Sequence, residues 1–224
     1  MSTTSRGPLV RYLSEGIVIV MSILLAFGID AWWDDRGDRE IERSLLLELQ
    51  AEFEGNRESL VSTANVYHMV RSAMESLLTV ASSESTPPAD SLASLFELAS
   101  APPHWEAATG ALATAVNSGR ITLVRNPELR RQLVGWDGVT SDLYVDEAAR
   151  IDVVWRVLRP TFAEFGIGAG ADSITDYHTA LRSREVRAHF RSQVVAITHL
   201  LDHYSAVEDE IDVLIDALGA ELAP

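Results

Sequence analysis

A single uncharged run near the start of the chain constrains this sequence more than any other feature. Residues 16–29 carry no charged side chain, and two tryptophans and an acidic block follow them. A bilayer takes about 20 helical residues to cross. The fourteen-residue run is short for that, but residues 12–33 together make twenty-two, or about 33 Å of helix. The sequence therefore predicts a transmembrane helix over residues 12–33, after a short tail of residues 1–11.

The residues at the two ends of this segment suit the two faces of a membrane. Tyr12 at one end and Trp32 and Trp33 at the other match the aromatic belts found at lipid headgroups. Glu15 and Asp30 would lie at the same interfaces, where a carboxylate stays hydrated. We therefore expect the lipid bilayer as one partner, with the three aromatic side chains at its surfaces.

Two other interpretations of the run stay open. Arg6 and Arg11 form a basic leader, and Ala26-Phe27-Gly28 is an acceptable small–x–small cleavage site for a signal peptide. A buried helix of a soluble protein also accommodates fourteen apolar residues. Helix-compatible sequence continues as far as Arg36-Gly37, which favours the uncleaved anchor. A short basic tail before a first span usually stays inside, which predicts a C-terminal domain outside the cytoplasm, and in the periplasm if the membrane is a bacterial inner membrane.

Two small residues within the predicted span have the spacing of a packing motif. Ser22 and Ala26 are four residues apart, which lets two membrane helices approach closely. They predict association through the span, either as a homo-oligomer or with a larger membrane complex. The eleven residues before Tyr12 leave no room for a signalling domain on that side, so we do not expect a transmitting receptor.

Composition excludes several classes of function. The formal charge is −15, and all eighteen basic residues are arginine. A phosphate backbone requires a basic face, so a nucleic-acid partner is not expected. The chain has no cysteine, which excludes disulfides, thiolate metal ligands and thiol nucleophiles.

The pattern after the predicted span is helical. Apolar residues recur every seven positions along the first long helix, with Asn56 and Thr63 as polar interruptions that leave room for contacts to other helices. A linker of about residues 82–90 follows, and further helices are predicted over residues 91–99 and 104–117. The positions that form the seven-residue seam are Leu46, Phe53, Leu60, Tyr67 and Met74.

The second half of the chain continues the pattern. Gly119 is expected to stop a helix, and residues 121–124 to be briefly extended. Asn126-Pro127-Glu128 then predicts a helix start, which Pro160 later bends or ends. After a loop of about residues 166–173, Ser183 could cap the last long helix. The prediction is an all-α protein: one N-terminal transmembrane helix followed by a helical bundle over residues 34–224.

Three stretches resemble an uncharacterised bacterial family, domain of unknown function 6090. The first is "EGIVIVMSILLAFGIDAWWD", with Ser22 at the family's small position and Asp30 and Trp32 at its polar and aromatic ones. The others are "NSGRITLVRNPELRRQL" and the last long helix from Ser183. Gly28 departs from the family, which usually has glutamine there. The resemblance implies a single-span, helical, bacterial membrane protein and lends no catalytic residue.

The best candidate for a chemical site is a histidine pair. His199 and His203 are four residues apart on the last helix and could both ligate zinc, with a third ligand from Glu147, His68 or His178. No accompanying metal motif is present, so we expect the pair to line a polar stripe beside Ile197, Leu201 and Tyr204 rather than to bind a metal. The acidic run of residues 208–216 lacks the glycine of a calcium loop and is typical of a solvated face.

Two functions from different classes follow. The first is a membrane-anchored helical interaction or accessory module without catalytic activity, cofactor or metal. The alternative is a metal-dependent enzyme or ligand-sensing bundle using His199 and His203. Trp105, Trp136 and Trp155 lie in helical sequence, and we expect them in the core rather than in a ligand cage.

Overall fold

Every regular element that the structure describes is helical. The structure is a computed structural model that describes residues 8–83, 87–168 and 175–223, and for residues 8–19 it gives the helical backbone alone. The predicted all-α class is confirmed. The α-helices are α1 (Pro8–Ser82), α2 (Ala89–Ala99), α3 (Gly110–Asn117), α4 (Pro127–Val134), α5 (Trp136–Val153), α6 (Arg159–Ala163), α7 (Tyr177–Arg182) and α8 (Arg184–Leu222).

The first helix continues without a break from the apolar run into the bundle. Its 75 residues correspond to about 110 Å at the standard rise. It begins at Pro8, before the predicted start at Tyr12, whose side chain lies outside the described part together with residues 1–7. Side chains from Val20 to Ile41 are exposed, apart from a half-buried Asp35. The bundle therefore begins near Glu42.

A membrane-spanning segment is not identified in the structure. Within the described ranges, no helix has a stretch long and apolar enough to cross a bilayer. The predicted transmembrane helix over residues 12–33 therefore stays a prediction.

The predicted heptad seam forms the core of the bundle. All five of its apolar residues are buried, and α8 packs along α1 as the most extensive pairing of two helices. Phe53 contacts Trp136 edge to face at 5.1 Å, and Tyr67 lies 5.5 Å from Tyr204. The two longest helices thus cover each other's apolar faces within one chain.

The segment between α2 and α3 differs from its prediction. Helix was expected from His104, but α3 begins only at Gly110. The two prolines before His104 cannot continue a helix from α2, and side chains of other helices bind the backbone that follows. Residues 121–124 were expected to be extended, and instead a 3-10 turn occupies Arg120–Leu123 after Gly119, whose φ is +77°.

The helix start at Asn126 is confirmed. The Asn126 side chain accepts hydrogen bonds from the N–H groups of Glu128 and Leu129, at 3.0 and 3.2 Å. Pro160 does not end the helical path, which instead widens to a π-turn over Val154–Leu158 and continues as α6. Proline has no N–H to donate to the carbonyl four residues before it, and the wider π-turn accommodates this missing hydrogen bond.

The last long helix follows its prediction closely. Ser183 caps α8 by accepting the N–H of Val186 at 3.4 Å. The acidic run is a solvated face, on which Arg57 pairs with Glu208 and Asp212. Part of the predicted linker, residues 84–86, and most of the predicted loop, residues 169–173, lie outside the described residues.

Candidate functional site

An extended segment, residues 101–109, crosses α1 and is held there by side chains. The Asn56 amide donates to the carbonyl of Ala108 over 2.8 Å and accepts the N–H of the same residue over 2.7 Å. Glu52 accepts the N–H groups of Ala111 and Leu112 at the start of α3. The polar interruption at Asn56 is therefore used inside the bundle, which corrects the expectation that it leaves room for other helices.

Two aromatic side chains anchor the middle of the same segment. The Tyr67 hydroxyl donates to the carbonyl of Pro103 over 2.7 Å, and the Trp105 indole N–H donates to Ser59 Oγ over 2.9 Å. Trp105 is buried, as predicted. These bonds bring the segment's backbone against the buried part of α5.

Glu147 of α5 is the centre of a buried polar cluster. Its side chain is fully buried and accepts hydrogen bonds from the backbone N–H of Trp105 and from Nδ1 of His104, at 3.2 and 2.8 Å. The Tyr204 hydroxyl of α8 is a further donor to it. Burial raises the pKa of Glu147, and the three donors oppose that shift. The carboxylate thus joins the extended segment, α5 and α8.

The two tyrosines beside this carboxylate resist ionisation. Burial raises the pKa of Tyr204, and its bond to Glu147 raises it further. Burial also raises the pKa of Tyr67, and the nearby Glu147 adds to that shift. Both hydroxyls therefore act as hydrogen-bond donors at neutral pH and are not proton acceptors.

One turn further along α5, Arg150 is buried without a hydrogen-bond partner among the described residues. Only 4% of its surface is exposed, and Nε and both Nη atoms are covered and unpaired. Burial lowers the pKa of its guanidinium to about 10, which keeps it charged at neutral pH. Burying a charge without a counter-ion or hydrogen bonds costs roughly several kcal/mol. A hydrogen-bond acceptor placed beside this guanidinium would therefore stabilise it.

The same region contains an unpaired acceptor and a cavity. Gln193 of α8 is 6% exposed, and its Oε1 has no hydrogen-bond partner within residues 8–83, 87–168 and 175–223. It lines a cavity of about 250 Å³ between α5 and α8. The residues that line this α5–α8 cavity are Asp146, Ala149, Arg150, Val153, Gln193, Ala196, His199 and Leu200.

The two predicted metal ligands lie on the same side of α8 but in different surroundings. His203 pairs through Nδ1 with Asp146 at 2.8 Å, and His199 lines the cavity. Glu147, one of the suggested third ligands, instead holds His104. In the described part of the chain, no group of three or more histidine, aspartate or glutamate residues is arranged to hold a metal ion. Zinc binding by the pair stays a prediction.

The buried cluster was difficult to predict from the sequence. Glu147 and Arg150 are three residues apart, which in a sequence is typical of an exposed helical ion pair. The useful signal was the pattern of α5, since both fall on the stripe with Leu143 and Val154. The expectation for Trp155 is wrong: it is 52% exposed, and the Arg159 guanidinium lies 4.0 Å from its ring centre.

Comparison with known proteins assigns no relative. No family model, curated protein or solved structure matches the chain. The resemblance to domain of unknown function 6090 therefore stays a prediction.

Proposed function

We propose that this chain is a membrane-anchored helical interaction or accessory module, without catalytic activity of its own. The observation that supports the proposal most is the contrast along α1. From Glu42 onward most of its large apolar side chains are buried or half-buried, with Leu47 and Met69 as exposed exceptions, whereas between Val20 and Trp33 all of them are exposed.

The exposed apolar residues cover most of the helix circumference. Val20, Met21, Ile23, Leu24, Leu25, Phe27 and Ile29 are each between 49% and 67% exposed. At 100° per residue these positions cover about two thirds of the helix circumference, and the small residues Ser22 and Ala26 lie in the remaining sector. A helix with so wide an apolar surface is stable only in an apolar surrounding. In the sequence the same run begins earlier, at Gly16. A bilayer around residues 12–33 would supply this apolar surrounding along the whole run.

The bundle itself offers less for partners, because α1 and α8 already cover one another. The span is therefore the part of the protein that we assign to association, through Ser22 and Ala26. We place the protein in a bacterial inner membrane with the bundle in the periplasm, on the strength of the short basic tail.

Alkaline carbonate washing of native membranes tests the anchor. The protein should stay with the lipid, and its N-terminus should be intact. Release into the wash, or a mature chain beginning near Ile29, would mean a peripheral or cleaved protein instead. Replacing Leu24 and Leu25 with arginine should release the protein, whereas the same change at exposed Val195 and Val213 of α8 should not.

Reporter fusions at the C-terminus test the orientation. Alkaline phosphatase, which is active only outside the cytoplasm, should be active there, and a cytoplasmic reporter should be inactive. The opposite pattern would reverse the proposed topology. Metal analysis of the purified protein tests the alternative function, since stoichiometric zinc that is lost from His199→Ala would favour a metal-dependent bundle.

A further inference from the structure

The α5–α8 cavity combines unpaired donors with an unpaired acceptor. Arg150 and Gln193 both line it, and both are more than nine-tenths buried. Each has polar side-chain atoms that no described residue satisfies: the three guanidinium nitrogens of Arg150 and Oε1 of Gln193. Two such groups at one cavity are rare in a native fold, because buried polar atoms are nearly always paired.

The two groups together specify what would satisfy them. A guanidinium presents a planar set of N–H donors that matches a carboxylate. The Gln193 oxygen needs a donor close to that carboxylate. Asp146 lies at the same cavity and adds a negative charge, which favours a cationic donor over a hydroxyl. A carboxylate with an ammonium group beside it is an α-amino acid.

The rest of the lining restricts the side chain of such a ligand. Ala149, Val153, Ala196 and Leu200 supply apolar surface, and the cavity has a volume of about 250 Å³. This volume is just below that of typical ligand sites, which hold roughly 300–1,000 Å³. A short aliphatic side chain fits the space and the lining.

We propose that the α5–α8 cavity binds a small aliphatic α-amino acid, with its carboxylate on Arg150, its ammonium group between Gln193 and Asp146, and its side chain against the apolar wall. The guanidinium nitrogens of Arg150 and Oε1 of Gln193 are covered by neighbouring atoms, so this binding mode requires both side chains to turn toward the cavity. His203, which pairs with Asp146 at 2.8 Å, fixes that carboxylate at the edge of the site.

Isothermal titration calorimetry on the whole chain in detergent micelles tests the proposal. L-Alanine and L-valine should bind saturably. Propionate lacks the ammonium group, isopropylamine lacks the carboxylate, and inorganic phosphate is an anion of another class, so all three should bind at least about 10-fold more weakly. Equal binding of propionate or phosphate would overturn the amino-acid assignment. Absence of saturable binding by either amino acid at millimolar concentration would overturn the site.

Variants identify the residues that bind. Arg150→Met should weaken binding by about 10- to 100-fold, and Gln193→Leu by about 3- to 10-fold, since a charged and a neutral hydrogen bond are lost. Both changes remove an unpaired buried group, so the fold should tolerate them. The control is Arg156→Met on the next turn, an exposed arginine paired with Asp152. Unchanged affinity in Arg150→Met and Gln193→Leu would contradict the proposal, as would an equal loss in the control.

Discussion

Asn56 and Ala108 hydrogen-bond to each other in both directions, over 2.8 and 2.7 Å, although fifty-two residues separate them in the chain. An asparagine side chain carries one acceptor and one donor side, which match the C=O and N–H of a single residue. The pair fixes residues 101–109 against α1. It therefore also positions the Trp105 N–H that donates to Glu147.

Replacing Asn56 with leucine should lower the free energy of unfolding by about 1–3 kcal/mol, because two hydrogen bonds are lost and Asn56 is 2% exposed. Urea denaturation followed by circular dichroism measures the change. Asn65 is exposed on the same helix, so Asn65→Leu should change the stability by less than about 0.5 kcal/mol. Equal effects of the two substitutions would show that the bond to Ala108 is not important for stability.

The buried carboxylate of Glu147 predicts a pH-dependent stability. Its pKa is raised above the ordinary value of 4.5, chiefly by burial, so the folded chain binds a proton more tightly than the unfolded chain does. The stability that this group contributes is thus present below pH 4.5 and is lost as the pH rises through the raised pKa. The groups that oppose the shift in the pKa of Glu147 are the Tyr204 hydroxyl, the His104 ring and the backbone N–H of Trp105.

The measurement is the difference in unfolding free energy between the wild type and Glu147→Gln at a series of pH values. Relative to the wild type, the variant should gain stability as the pH rises from about 4.5, and the gain should level off above the raised pKa. A constant offset is expected as well, because an amide binds the three donors less well. Glu106→Gln, at an exposed position of the same segment, should show no such slope. A flat difference for Glu147→Gln would contradict the assignment.

The unpaired guanidinium of Arg150 predicts an unusual effect on stability. Without ligand, Arg150→Met should raise the unfolding free energy by about 1–3 kcal/mol, because a buried charge is replaced by apolar volume. Thermal unfolding of the detergent-solubilised protein measures the change. Arg156→Met should alter stability by no more than about 0.5 kcal/mol. A large loss of stability in Arg150→Met would mean that nearby charges and dipoles stabilise the guanidinium without a direct hydrogen bond.

The long helices were predictable because their signal is local. The seven-residue seam, the Asn126 start and the Ser183 cap each depend on residues within a few positions of one another. Residues 104–109 were predicted as helix for the same reason, since their composition suits one. Their real conformation depends on Asn56, Tyr144 and Glu147, which lie far away in the chain.

The buried cluster was less predictable, since a sequence does not show which charged residues of an amphipathic helix face inward. Arg150 lies on the apolar stripe of α5, but an arginine at such a position commonly extends its long side chain so that the guanidinium reaches water. Trp155 shows the opposite error. Its place in helical sequence suggested the core, but Trp155 directly follows the buried Val154 and therefore lies about 100° to the side of the buried stripe, where its ring packs against Arg159.

The proposed association through the span predicts a result in native membranes. Cross-linking should trap a dimer or a larger complex, and replacing Ser22 and Ala26 with leucine should reduce the trapped fraction by about 5- to 30-fold. The added bulk keeps the helices apart, and the substitution also removes a serine hydroxyl worth about 1–2 kcal/mol.

The control replaces Ile23 and Phe27 with leucine, which keeps the same spacing and large side chains. Both variants should retain the helical circular dichroism of the bundle, since neither touches the residues from Glu42 onward. If the wild type yields only monomer, both self-association and association with a partner are contradicted. An equal loss in both variants would mean that the helices do not meet at Ser22 and Ala26.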